Sequence, residues 1–267
     1  MNDRNNEWDA ELANVGKART RYGALLTHRS DTLTEAYKSA KLTLPYLVPE
    51  DVDVLNRTED REELPKPWQS LGARGVNTLS AKLLLALLPP TSSFMRYKLS
   101  PKALIEVPKE QQAAVRTDLQ VKFAERERTV VEEVDSSGLR VKWGQALKDL
   151  IVTGNVCMYM PPKQGMRLYK LNAFVARRDT SGNLLELITV DVLDRASLTP
   201  EQQKLVDKQD APVAMSSSTD SGPTSPSTVN LFTHVTRTDA DKFEAYQELD
   251  NVRVPGSEQS FTEDTLP

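Results

Sequence analysis

The chain is poor in the residues that do chemistry. Its 267 residues hold two histidines, His28 and His234, and a single cysteine, Cys157. One cysteine cannot close an internal disulfide, and two distant histidines with one thiol fall short of the clustered ligands of a metal centre. Each histidine is read as a surface or strand residue. Cys157 stands in the apolar run Val156-Cys157-Met158-Tyr159-Met160, where a thiol behaves as a small hydrophobe. An excess of one charge is also missing. Lys and Arg number 34 against 38 Asp and Glu, a net charge of −4, so nothing pulls the chain generally toward nucleic acid. A dedicated sequence-reading DNA binder is disfavoured. Apolar runs long enough for a bilayer are absent, and residues 1–9 are polar where a signal peptide would be basic and then apolar. Neither a membrane contact nor export is expected.

Catalytic motifs are missing as well. Gly72-Ala-Arg-Gly75 lacks the preceding strand and the Lys-Ser/Thr ending of a phosphate loop. No serine has the Gly-x-Ser-x-Gly setting of a nucleophile elbow. Glu132, Glu133 and Asp135 crowd at a helix end without a pocket, and Glu50, Asp51 and Asp53 lack the glycine and terminal Glu of a calcium loop. No catalytic residue, cofactor, cofactor-binding residue or metal ligand is therefore expected, and an assembly component fits better than an enzyme.

What is present suffices for a real core, since 39% of the residues are hydrophobic. Residues 11–29 and 30–44 read as two helices, with Leu12, Val15, Tyr22, Leu25 and Leu26 near a helical period, and Ser30, or Thr32 with Glu35, as a cap. Residues 46–63 are acidic and aperiodic, a solvated loop. After a short strand at 93–99 come a long charged helix at 109–134, on Val115, Leu119, Phe123 and Val130, and another at 139–152, anchored by Val141, Leu147, Leu150 and Ile151. Gly154 and Asn155 stop the latter. The period then changes to that of strands at 156–160, 166–171, 174–178 and 184–192, the last two joined by the turn Asp179-Thr-Ser-Gly182-Asn183. Thr199 and Pro200 open a small helix, the Ser/Thr/Pro stretch 211–228 reads as a disordered loop, and 229–237 pairs with 243–249 as a hairpin. The fold class is α+β, helices followed by short antiparallel strands. Four parts are expected: a mainly helical 1–155, a β-hairpin part with a short helix at 156–210, the loop at 211–228, and a hairpin part at 229–267 whose tail looks interrupted.

One stretch organises the rest. Residues 65–90 read as a helix, with Pro67 in its first turn and Pro89-Pro90 at its end. Advancing about 100° per residue, Trp68, Gly75, Leu79, Leu83 and Ala86 share one stripe with Leu71 and Gly72 at its edges, while Arg74 and Asn77 face elsewhere. Two glycines inside a helix imply close approach of a neighbouring backbone. On that reading Gly75→Leu overpacks the stripe.

Three segments carry a resemblance. Pro67-Trp-Gln-Ser-Leu-Gly-Ala-Arg-Gly-Val-Asn-Thr-Leu-Ser-Ala-Lys-Leu-Leu-Leu-Ala-Leu-Leu-Pro89, Ala146-Leu-Lys-Asp-Leu-Ile-Val-Thr-Gly-Asn-Val-Cys-Met-Tyr-Met-Pro161 and Arg178-Asp-Thr-Ser-Gly-Asn-Leu-Leu-Glu-Leu-Ile-Thr189 resemble, in order and spacing, the portal proteins of short-tailed bacteriophages. The likeness implies the N-terminal half of a portal subunit, mostly its wing region, with stem, clip and crown outside this chain. It implies a dodecameric ring at one capsid vertex that admits double-stranded DNA and holds the tail. The implied partners are further copies of the chain, major capsid and scaffolding proteins, the large terminase subunit during packaging, tail adaptors and internal ejection proteins, in the virion and, during assembly, in the host cytoplasm. No enzymatic site is implied, and no residue is assigned to the DNA channel. A tail or adaptor component, and a DNA-packaging enzyme, are the alternatives. The structural signature comprises Trp68, Gly72, Arg74, Gly75, Asn77, Leu79, Gly154, Asn155, Asp179 and Gly182.

Overall fold

The computed structural model describes residues 17–48, 69–90, 92–99, 112–161, 165–214, 228–239 and 241–262. Their order is helices first and antiparallel strands after, a mixed α+β chain. Two compact units divide it, and not at the expected four-part boundaries. One gathers Met1–Lys38, Pro45–Pro65 and Tyr169–Pro267, the other Ser39–Leu44 and Lys66–Leu168. The strands expected in separate hairpin parts belong to one sheet, so 156–210 and 229–267 are not independent pieces.

In the first unit, helix α1 (Lys17–His28) and the start of α2 (Ser30–Leu42) precede the sheet strands β3 (Phe174–Arg178), β4 (Leu184–Asp194), β5 (Thr228–Asp239), β6 (Lys242–Leu249), β7 (Val252–Arg253) and β8 (Gln259–Thr262). They form a six-stranded sheet in the order β3-β4-β5-β6-β7, with β8 also pairing β6. Register puts Val175 beside Ile188 and Val190 beside Phe232, and strand alternation points these apolar residues to one face. There α1 lays down Ala18 and Tyr22, packed with Val175, Ile188, Val190 and Phe232 into one buried cluster. The Tyr22 and Phe232 rings meet edge to face, 5.9 Å apart. Helix α6 (Pro200–Ala214) adds a second cluster of Leu198, Val206, Val229 and Leu249. A capping box opens it, since Thr199 N–H donates to Gln202 Oε1 at 3.0 Å. This helix reaches Ala214, so its last turn takes up the start of the stretch expected to be a loop; 215–227 lie outside the described residues.

The second unit holds α3 (Leu71–Leu87), α4 (Gln112–Ser136) and α5 (Leu139–Thr153), followed by a two-stranded sheet of β1 (Cys157–Tyr159) and β2 (Arg167–Tyr169). Helix α3 packs on α5, and α4 on α5. Arg140 of α5 donates to the carbonyls of Leu88 and Pro89, satisfying acceptors that the end of α3 leaves open. Gly138 at φ +67° makes the tight break between α4 and α5, a conformation that favours glycine.

Several expectations fail locally. Residues 93–99 pair with no strand among the described residues; Tyr97 lies along α4, its N–H donating to Glu127 Oε1 at 2.6 Å and its ring 5.8 Å from Phe123. Leu47 and Val48 are buried, so the acidic stretch 46–63 begins as core and not as solvated loop. Val141 and Leu150, expected as anchors of α5, are exposed, while Ala146 and Leu147 are buried. Leu12, Val15, Glu50, Asp51, Asp53 and the remainder of 49–63 lie outside the described residues.

Candidate functional site

The densest polar constellation lies on the α1 face of the sheet, among residues that strand alternation would reserve for apolar side chains. Glu186 on β4 points the same way as Ile188 and Val190, and its register partner on β5 is Thr236, with His234 opposite Ile188. Arg21 of α1 grips this nearly buried carboxylate with three hydrogen bonds, at 2.9, 3.2 and 2.8 Å. Arg177 approaches Glu186 Oε2 at 3.3 Å from β3. His234 Nε2 stands 3.0 Å from Glu186 Oε1, and its Nδ1 2.9 Å from the Tyr246 hydroxyl. An ionised carboxylate only accepts, so Nε2 carries the proton and Nδ1 accepts from Tyr246. Arg21 holds the Glu186 carboxyl below its ordinary range despite burial. Burial pushes the His234 imidazole down, against the pull of Glu186.

A second carboxylate on the same face, Glu248, is fully buried and accepts from the Ala18 N–H at 3.0 Å. It serves the open donors at the first turn of α1, where a negative charge also meets the positive end of the helix dipole. Burial raises its pKa, and its Oε1 and the Arg253 Nε find no hydrogen-bond partner among the described residues. Arg253 stacks 4.2 Å above the Tyr246 ring. Beside them opens a cleft of about 220 Å³ lined by Lys17, Thr236, Glu244, Tyr246 and Arg253. No serine or cysteine nucleophile enters the constellation, and the chemistry available to it is charge pairing: it fastens α1 to the sheet at two points.

Sequence reading passed over Arg21, Glu186, Tyr246, Glu248 and Arg253 and took His234 for an ordinary strand histidine. The detectable signal was Glu186, a charge on the inward phase of an otherwise apolar strand. Cys157 is half-buried, and burial pushes its thiol up to about 11, which keeps it protonated. Among the described residues no three His, Cys, Asp or Glu gather to hold a metal ion, and no helix is long and apolar enough to cross a membrane.

The signature residues do not converge on one site. Trp68, like Pro67, lies outside the described residues, and Gln69 and Ser70 precede the helix, which starts at Leu71. Gly72 sits so near α2 that a Cβ there would lie 2.6 Å from the Leu42 carbonyl oxygen. Gly75, expected on the packed stripe, is exposed, and a Cβ there would meet nothing within 4 Å. Leu79, Leu83 and Ala86 are exposed with it, while α3 buries Val76 and Ser80. At about 100° per residue the buried face of α3 is thus rotated from the expected stripe toward Val76 and Ser80, with Gly72 at the boundary against the Leu42 carbonyl. Arg74 and Asn77 are exposed as expected. Gly154 ends α5 at φ +71°, its N–H bonded to Leu150 O, and Asn155 interlocks with Thr153. Asp179 accepts from the Asn183 N–H at 2.8 Å across the β3–β4 turn, where Gly182 takes φ +89°.

These residues shape and fasten the chain. The profile described as "Bacteriophage head to tail connecting protein" matches residues 15–267, and the chain belongs to that family. It is 30% identical over 256 residues to the portal protein of Escherichia phage T7, covering 94% of this chain and 44% of that protein. To the portal protein of Enterobacteria phage T3 it is 28% identical, covering 97% and 46%, and to that of Enterobacteria phage SP6 34%, covering 60% and 29%. The chain spans less than half the length of these curated relatives.

Proposed function

We propose that this chain is the N-terminal half of a portal subunit, mainly its wing, whose copies close a dodecameric ring at one capsid vertex. Through that ring double-stranded DNA is packaged and ejected without sequence reading, and the tail attaches below it. The match of the head-to-tail connecting family across residues 15–267 carries the reading. In it the protein is a virion component and not an enzyme; the terminase large subunit supplies hydrolysis. Coat and scaffolding proteins, tail adaptors and internal ejection proteins are the other partners, met first in the host cytoplasm. Gly72, Gly154, Asp179 and Gly182 shape the subunit and bind no ligand. The near balance of charge, −4 overall, supports passage over capture, since a strongly basic wall would hold phosphates.

Native mass spectrometry and negative-stain imaging of the purified full-length protein test this. Twelve-fold rings are the expected result. A stable monomer at all protein concentrations overturns it, and particles that carry the chain outside the connector ring favour the adaptor reading.

A further inference from the structure

Glu186 faces more positive charge than it can balance. Arg21 from α1 and Arg177 from β3 both close on its Oε2, at 2.8 and 3.3 Å, so two guanidinium groups share one carboxylate and the cluster keeps a positive charge in excess. Burial pushes His234 toward its neutral form, and it adds nothing to the count. The next acid in this row of the sheet, Glu244, stands two strands along, past Thr236, and lines the cleft beside Lys17. Neither arginine bonds it.

The cluster has an inside and an outside. Glu186 is 5% exposed, whereas the side chains of Arg21 and Arg177 are 41 and 51% exposed. Each guanidinium carries five N–H groups. Arg21 spends Nε and Nη2 on Glu186, Arg177 meets it through Nε alone, and neither has a further hydrogen-bond or ion-pair partner among the described residues. A buried acid thus holds two forks from behind and leaves donors unspent at the surface. Lone surface arginines lose rotamer freedom when they take an anion, but here the carboxylate has already fixed them. A flat, singly charged carboxylate fits one fork, and Glu186 already supplies it to Arg21. A phosphate group has oxygens in several directions and up to two charges, which suits two forks arriving from a helix and a strand. One such point is too little to track a DNA backbone, whose capture takes many phosphate contacts.

We propose that Arg21 and Arg177, held by Glu186, form a binding site for a single phosphate group, free or esterified. The test is calorimetric titration of sodium phosphate into full-length wild type, Arg177→Gln and Arg178→Gln, with ionic strength held by chloride, and thermal melting of each. Arg178 follows Arg177 on β3 and donates to the Gly182 carbonyl instead, so its loss removes the same charge without touching the site. Wild type is expected to saturate at one phosphate per chain, Arg177→Gln to bind about tenfold more weakly, and Arg178→Gln to bind as wild type does. Arg177→Lys keeps the charge and loses the fork; it reads the site even where Gln disturbs the fold, and is expected to weaken binding less than Gln. Competition identifies the source. Displacement of phosphate by a short double-stranded DNA fragment assigns the site to a backbone phosphate, and displacement by glycerol phosphate but not by DNA assigns it to a small ester. No saturable phosphate binding overturns the proposal. So does equal weakening by Arg177→Gln and Arg178→Gln, which means diffuse charge, and so does acetate that competes as well as phosphate.

Discussion

Helices α1 and α3 both carry apolar residues at helical spacing, yet α1 buries a large aromatic where α3 fully buries only Val76 and Ser80. Helix α1 turns Ala18 and Tyr22 onto the sheet, with Leu25 and Leu26 beside them, and is fixed there by Arg21–Glu186 and by Glu248 at its first turn. Helix α3 turns Val76 and Ser80 inward and leaves Leu71, Leu79 and Leu83 out. The distance to the neighbour decides. A side chain as large as Tyr22 fits over a pleated sheet at ordinary spacing, whereas at Gly72 the Leu42 carbonyl leaves no room for even a methyl group. Apolar period thus locates a stripe, and the closeness of the neighbouring backbone says whether that stripe is the inner one.

The largest expected effect lies where α1 meets the sheet. Phe232 is fully buried and its ring meets Tyr22, so Phe232→Ala removes the centre of that contact. A loss of about 3 to 5 kcal/mol in chemical denaturation is expected, as for other buried aromatics cut to Ala. A loss below about 1 kcal/mol would mean that this cluster does not hold the unit together.

Next comes the close approach on α3. Gly72→Ala improves helix propensity by about 1 kcal/mol but sets a methyl against a backbone oxygen that cannot swing aside. Overpacking of about 1 to 3 kcal/mol is expected to win, read as a lower melting temperature. An unchanged or higher melting temperature would show that the two helices separate freely there.

The polar fastening of α1 gives a smaller, pH-dependent effect. Arg21→Met is expected to cost about 1 to 2 kcal/mol near neutrality, discounted because the arginine is partly exposed. Glu186 is held below its ordinary value of 4.5, first by the Arg21 hydrogen bonds. Its stabilisation is therefore complete above 4.5 and lost as pH falls through the lower folded value, so the gap between wild type and Arg21→Met should close in acid. His234, held below 6.5 chiefly by burial, adds a loss as pH falls from 6.5, because the unfolded chain takes the proton first. Glu248 works in the opposite sense. Its folded pKa is raised, so stability declines as pH rises from 4.5 through that value, and Glu248→Gln should remove the decline. Urea titrations across this range read all three, and a constant Arg21→Met gap down to strong acid would dismiss Glu186 as its cause.

The contrast also marks what a sequence discloses. The β3–β4 turn was legible because Asp179, Gly182 and Asn183 act locally, through an Asx contact and a positive φ. The β5–β6 pairing was legible for the same reason, two alternating runs across a short turn. What failed depends on contacts far apart in the chain. Glu186 stands out as a charge on an apolar strand phase, but what it binds is hidden until Arg21, 165 residues away, arrives beside it. The 93–99 run alternates like a strand, but no second strand among the described residues pairs with it, and Tyr97 lies along α4 instead. On α3 the period was right and the face wrong, because nothing in residues 71–87 announces that Leu42 lies against Gly72. Family likeness, by contrast, needs no knowledge of which face is buried, which is why it held when the stripe did not.

Gly75 gives the smallest effect and the sharpest test of that lesson. It lies in the same helix as Gly72, one turn on, with open space where a Cβ would stand. Nothing opposes the gain in helix propensity, so Gly75→Ala should stabilise by up to about 1 kcal/mol, in the opposite direction to Gly72→Ala. Gly75→Leu, which a packed stripe would reject, should be tolerated by the isolated subunit. The position borders the outward leucines, so an effect confined to assembly, with the monomer melting unchanged or raised, would place Gly75 at a contact between copies. If instead Gly75→Ala lowers the monomer melting temperature as much as Gly72→Ala, the Gly75 side of α3 is packed in the subunit too, and the contrast between α1 and α3 fails.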